Sequence, residues 1–192
     1  MARKRKFTMI DLYQVTKETL VDTGYNGFTF SILAEKLDIS RGSIYKYFDN
    51  KEELVTEYMV YEMNQFLTEL QNINTYHSFE EQFDFLLYII FKDSSIQKII
   101  GMRAQIQSEG NKKVQANLDK LKELHLSMYS LLADFIQSGK ENNIIKPSLQ
   151  NGAILGFIFQ SVAIPNHFNV PKEEWTSSIK EIIQYGTFNK NS

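Results

Sequence analysis

Between Arg41 and Tyr47 the chain reads RGSIYKY, and its side chains form one chemical set: the cations Arg41 and Lys46, the hydroxyl of Ser43, the phenols of Tyr45 and Tyr47, and Gly42 with no side chain. No carboxylate interrupts the set before Asp49. Cations offset phosphate charge, hydroxyls and phenols donate hydrogen bonds to phosphate oxygens and base edges, and a glycine lets the backbone come close to a duplex. The chemistry such a face suits is recognition of double-stranded nucleic acid.

A face of this kind has to be turned outward by the elements that carry it. Ser40 is placed to cap a helix over RGSIYKYF, in which Ile44 and Phe48, one turn apart, predict the inward side. Upstream, Thr29 is placed as a cap, and Ile32, Leu33 and Leu37 recur at one-turn spacing, which predicts a helix from about Phe30 to Leu37. Asp38 and Ile39 make the corner. Aspartate tolerates the left-handed backbone that a tight turn needs, and Ile39 supplies an apolar plug beneath it. Two helices around a short turn, the second basic and aromatic, predict a helix-turn-helix whose second helix enters the major groove. An ordinary surface pair of helices has the same bare pattern and stays open as the alternative. The candidate DNA contacts are Thr29, Ser40, Arg41, Gly42, Ser43, Tyr45, Lys46, Tyr47 and Lys51.

The surrounding residues extend the pattern. Leu12, Val15, Thr16 and Leu20 are followed by Gly24-Tyr25, Phe28-Thr29, Leu33-Ala34 and Ile39-Ser40, then by Gly42, Ser43, Ile44, Tyr45, Tyr47 and Phe48, with Lys51, Glu52 and Leu54 closing the run. In order and spacing, from Leu12 to Leu54, this resembles the tetracycline-repressor (TetR) family of bacterial transcription regulators. The chain departs from the family in having Val15-Thr16 where two alanines are common, and Asp38 where the turn commonly has glycine. The resemblance implies an all-α protein: a three-helix DNA-binding domain, then a helical domain that dimerises and encloses a small molecule, about nine helices in all. It also implies a ligand-responsive repressor that binds a palindromic operator as a homodimer.

Composition agrees with a folded regulator. The chain has 192 residues, 43% hydrophobic and 23% charged, with no cysteine, so disulfides and thiolate chemistry are excluded. No apolar run reaches membrane-spanning length and no signal-peptide core follows the N-terminus, so the chain is expected in the cytoplasm, without membrane contact. The net charge of −2 is uneven: residues 1–51 carry +3 and the remainder −5. Arg3, Lys4, Arg5 and Lys6 make a basic arm that either reaches along a minor groove or is a solvated terminus. The expected division is a DNA-binding domain with its arm over 1–51 and a ligand-binding and dimerisation domain over 52–192.

The other helices follow from periodicity. Thr8 and Asp11 mark the start of the first helix and Gly24 its end. Asn50 and Glu53 have capping-box spacing for a fourth helix, and Val55, Met59, Met63, Phe66, Leu70 and Ile73 carry it to about residue 73, roughly 33 Å long. Tilting this helix would change the separation of two reading heads in a dimer. Further helices are expected near Phe79–Ile90, Ile96–Ile106 and Asn111–Lys140, the last punctuated by Gly139, Asn142-Asn143 and Pro147. The stretch AILGFIFQSVAI is apolar almost all round and too short to cross a bilayer, and Trp175, Ile179, Ile182 and Ile183 form a final amphipathic stripe. These two helices predict a homodimeric four-helix interface, with Gly152, Leu155, Gly156, Phe159, Trp175, Ile179, Ile182 and Ile183 as its candidates and a single-chain core as the alternative.

Tyr88, Arg103, Gln107, His125, Tyr129 and Gln160 are the polar candidates for a small-molecule pocket among the apolar middle helices. His125 interrupts an apolar stripe, so it meets a ligand, a core partner or solvent. The three histidines are isolated, and there is no zinc motif, phosphate-binding loop or nucleophile elbow, so no enzyme, metal or cofactor is expected. The remaining alternatives are a TetR-like protein-binding co-activator or scaffold, and a small-molecule carrier without DNA function.

Overall fold

Thr8 opens the first helix as its spacing from Asp11 predicts. Its hydroxyl accepts from the Asp11 backbone N–H at 3.1 Å, and the Asp11 carboxylate accepts from the Thr8 N–H at 2.7 Å. In the computed structural model, which describes residues 7–93 and 95–189, this is α1, Met9–Gly27, and Gly24 breaks its last turn with φ 67°. It is followed by α2 (Phe30–Lys36), α3 (Arg41–Ile44), α4 (Lys51–Leu70), α5 (Phe79–Phe91), α6 (Ser95–Gly101), α7 (Lys112–Glu141), α8 (Asn151–Ser161) and α9 (Lys172–Thr187). Short 3-10 turns follow α4 at Gln71–Thr75 and α6 at Met102–Gln105. Among the described residues the fold is all-α, without strands, and no helix is long and apolar enough to cross a membrane. The basic arm Arg3–Lys6 lies outside the described residues.

The chain packs as two compact units, one from the described residues up to Asn64 with Ser95–Glu123, the other from those of Gln65–Ser94 and Leu124–Ser192. In the first, Leu12, Leu20, Phe28, Leu33, Ile44, Leu54, Val55 and Tyr58 are removed from solvent, and Ile99 and Met102, at and just beyond α6, complete the same core. Successive turns of α1 supply Leu12, Thr16 and Leu20 to it, as the 3.6-residue period requires. The start of α4 is tied by the Asn50 side chain, which accepts from the Glu53 N–H at 2.9 Å.

In the second unit Phe83, Leu86, Leu87, Leu132, Ile136, Ile158 and Ile183 are buried. Phe79 stacks on Phe135 with centroids 4.6 Å apart and planes 8° from parallel, and Phe188 meets Phe83 edge-on at 5.1 Å. Gly139, expected to punctuate the end of a helix, lies inside α7 instead, where Phe79 and Ile145 press against it. The stop comes four residues later. Asn143 adopts φ 59°, and Ile144 N–H returns to the Gly139 carbonyl at 2.9 Å, the hydrogen bond that closes a helix over a left-handed residue.

Candidate nucleic-acid interface

Each end of the α2–α3 corner is fixed by a local hydrogen bond that its sequence dictates. The Thr29 hydroxyl accepts from Ile32 N–H at 3.4 Å to begin α2. Asp38 takes the left-handed conformation, φ 50°, and Ile39 N–H reaches back to the Ala34 carbonyl at 2.9 Å. Ser40 opens α3 in extended geometry, its carbonyl accepting from Ser43 N–H at 2.9 Å. The two serine hydroxyls lie 3.0 Å apart, so Ser40 supports Ser43 and not the helix cap.

Ile44 and Phe48 point inward as expected, 0% and 2% exposed, which turns Arg41, Gly42, Tyr45, Lys46 and Tyr47 outward. Ser43 is half-buried. The helix itself is shorter than the expected run RGSIYKYF: α3 closes at Ile44, and residues 45–47 continue as a tight turn. The reason is local. The Ile44 carbonyl accepts from both Tyr47 and Phe48, at 2.9 and 3.2 Å, while Asp49 N–H leaves the helical ladder for the Glu53 carboxylate at 3.2 Å.

Both exposed phenols rest on aromatic supports. Tyr45, 54% exposed, meets Phe30 edge-on at 5.0 Å, and Tyr47, 37% exposed, meets Phe7 at 5.9 Å. Buried Phe30 holds one ring from α2, and Phe7 holds the other from the segment before α1, so the two rings are steered by different elements. The Arg41 guanidinium donates to the Ser31 hydroxyl at 3.5 Å. Ser31 and the two supporting phenylalanines were not among the candidates. Ser31 is exposed on α2, off the helical stripe of buried Phe30, Leu33 and Ala34, and that register was the available signal. Lys51 lies apart from α3: its ammonium donates to the Tyr25 carbonyl at 3.1 Å and sits 4.3 Å from the centre of the Tyr25 ring. The Tyr25 hydroxyl in turn donates to Glu52 at 2.8 Å.

The other candidates are distributed as follows. Arg103 and Gln107 are exposed in the first unit. In the second, Tyr88 and Gln160 are exposed, and His125 is exposed with its ring 5.1 Å from Tyr129, which lies 5.6 Å from Phe159. On the last two helices, Leu155, Ile179 and Ile183 are buried within their own unit, Phe159 and Trp175 are half-buried, and Ile182 is 61% exposed. Gly152 and Gly156 face open space, with no atom within 4 Å of where a Cβ would stand. Phe157, Ile164 and Tyr185 add further exposed apolar surface to the same two helices and the turn between them.

Residues 12–58 match the family model described as bacterial regulatory proteins, tetR family. No protein with a curated description matches the chain by sequence. Among solved structures, the ketosteroid transcriptional regulator KstR2 of Mycobacterium tuberculosis is 18% identical with a TM-score of 0.73, covering 99% of this chain and 98% of that one. A putative transcriptional regulator from Saccharomonospora viridis, in complex with choline, is 12% identical with a TM-score of 0.74, covering 95% and 98%. The transcriptional regulator FadR from Bacillus subtilis, in complex with stearoyl-CoA, is 19% identical with a TM-score of 0.65, covering 93% and 99%.

Proposed function

We propose that the chain is a DNA-binding, ligand-responsive repressor, since residues 12–58 match the model of the tetR family of bacterial regulatory proteins and the whole chain shares the fold of proteins described as transcriptional regulators. In this reading two copies pair through α8 and α9, and their α3 segments bind successive major grooves of a palindromic operator in the cytoplasm. A small molecule held by the second helical domain releases the DNA. The functional division falls at residue 51, between the reading domain over 1–51 and the ligand-binding and dimerisation domain over 52–192, although packing divides α4 near Asn64.

The observation that carries the proposal is the outward set Arg41, Gly42, Tyr45, Lys46 and Tyr47 on a base of buried Ile44 and Phe48. It offers ammonium and guanidinium groups for phosphates, and phenols held at fixed angles for base edges and sugars. The basic arm adds charge close to the same end of the sequence. The stearoyl-CoA and choline bound to two proteins of this fold support a small-molecule effector for the second domain, without indicating which one. An effector must bind the conformation that is incompatible with the operator more tightly, because equal affinity for both conformations shifts nothing.

A gel-shift titration against the chain's own upstream promoter region tests the reading. Retarded, sequence-selective complexes that weaken steeply with salt are expected. Binding indifferent to sequence, or none at all, would favour a protein-binding role for the same fold.

A further inference from the structure

A carboxylate behind the reading segment links it to a helix far along the chain. Glu53 in the first turn of α4 is 3% exposed, and its acceptor capacity goes to groups outside its own helix. One oxygen accepts from the Asp49 backbone N–H at 3.2 Å and from the Lys113 ammonium at 3.3 Å, and the other from the Asn111 side-chain amide at 3.0 Å. Lys113 also lies 3.9 Å from the Asp49 carboxylate. Asn111 divides its amide between two tasks. Its oxygen accepts from Lys113 and Val114 N–H groups, at 3.0 and 3.1 Å, as the cap of α7, and its nitrogen serves Glu53. One turn further along each helix, Asn117 donates to the Thr56 hydroxyl at 3.1 Å.

We propose that Glu53 is a positioning residue for DNA reading, holding the α3–α4 corner to the first turn of α7, so that DNA affinity depends on where α7 begins. This rests on the reading of α3 as the groove-reading segment. The Asp49 N–H that Glu53 captures lies one residue beyond Phe48, the second inward anchor of that segment. Burial opposes the charge on Glu53, but the hydrogen bonds from Asn111, Asp49 and Lys113 outweigh it and hold the carboxyl below its ordinary range. Displacing the start of α7 without the corner would strip the buried carboxylate of the Asn111 and Lys113 donors, which is costly for a buried charge. The corner therefore follows α7, and with it the orientation of Arg41, Tyr45 and Tyr47.

Asn111→Asp isolates this contact, because aspartate still caps α7 but sets a second carboxylate against Glu53. The probe is a duplex enriched from a random-sequence library by the parent chain, titrated by fluorescence anisotropy at a temperature where every variant is folded by circular dichroism. Asn111→Asp should weaken binding by about tenfold, the loss expected when a buried charge-assisted hydrogen bond is broken. The pair Glu53→Gln with Asn111→Asp should restore most of the affinity, since the glutamine oxygen still accepts from Asp49 and its nitrogen donates to the new aspartate. Parental affinity in Asn111→Asp, or a loss that the swapped pair leaves unrepaired, overturns the proposal. A parent chain that enriches no duplex overturns the DNA-reading function itself and this role with it.

Discussion

Thr16 and Thr19 are fully buried on the inner side of α1, and among the described residues their hydroxyls have no hydrogen-bond partner. A buried hydroxyl without a partner keeps its desolvation cost and gains nothing in return, so Thr16→Val, which preserves the shape, should raise stability by about 1 kcal/mol in urea unfolding. A destabilised variant would mean that the hydroxyl is bonded after all. Thr16 was legible as a departure from the family's alanine, though only the structure reveals the orphaned oxygen. The outward side of residues 41–47 carries a different kind of prediction. Lys46→Ala should weaken DNA binding evenly across sequences and lower the salt slope by about one unit, whereas Tyr45→Ala should alter sequence preference, as base and phosphate contacts differ in kind. If both variants bind like the parent, another element lies in the groove. The inward and outward sides of this segment were readable because Ile44 and Phe48 are local signals one turn apart. Glu53 was not readable as more than a cap residue, because its partners Asn111 and Lys113 are about sixty positions away and spacing carries no information over that distance.

At the scale of an element, α7 shows how a single position can mislead. Gly139 has the composition of a helix terminator, yet it lies within α7 because a Cβ there would stand 2.5 Å from Cζ of Phe79. Phe79 has little room to yield, being stacked on Phe135 and flanked by Phe188. Gly139→Ala would gain about 1 kcal/mol in helix propensity, but overpacking against a clamped ring costs about 1–3 kcal/mol. Net destabilisation in thermal unfolding is the expected outcome, and a melting temperature above the parent's would show that Phe79 gives way. Elements whose signals are local, such as the Thr8–Asp11 box and the Asp38 corner, could be read from sequence alone, whereas the Ser78–Glu81 box that starts α5 was missed although its spacing is the same. The end of α7 was legible to within a residue, near Lys140 with Asn142-Asn143 beside it, but not which residue takes the left-handed turn, because asparagine and glycine both favour it and only packing decides between them.

For the molecule as a whole, acid stability follows from carboxylates that serve as hydrogen-bond acceptors. Asp11 is held below its ordinary range by the Thr8 N–H and hydroxyl, and Glu81 by the N–H groups of Ser78 and His77. Groups with depressed folded values add stability that is present above their ordinary range and is lost as pH falls through the folded values. The melting temperature should therefore fall below about pH 4.5, and Glu81→Gln should flatten that decline; an unchanged acid limb would assign the loss elsewhere. Assembly gives a sharper test, because the same positions have different demands in one protomer and in two. Gly152 and Gly156 lie in α8 with open space where a Cβ would stand, and at Gly156, inside the helix, leucine adds up to about 1 kcal/mol of helix propensity. A partner helix that approaches closely there would meet that leucine directly. If α8 and α9 pair as proposed, Gly156→Leu should fold at least as stably as the parent, yet sediment as a monomer at concentrations where the parent pairs. It should also lose affinity for a two-half-site duplex far more than for a single half-site, since only paired heads bind both at once. A variant that sediments with the parent's dimer constant would move the interface off this face, leaving exposed Ile182 and Phe157 without the role assigned to them.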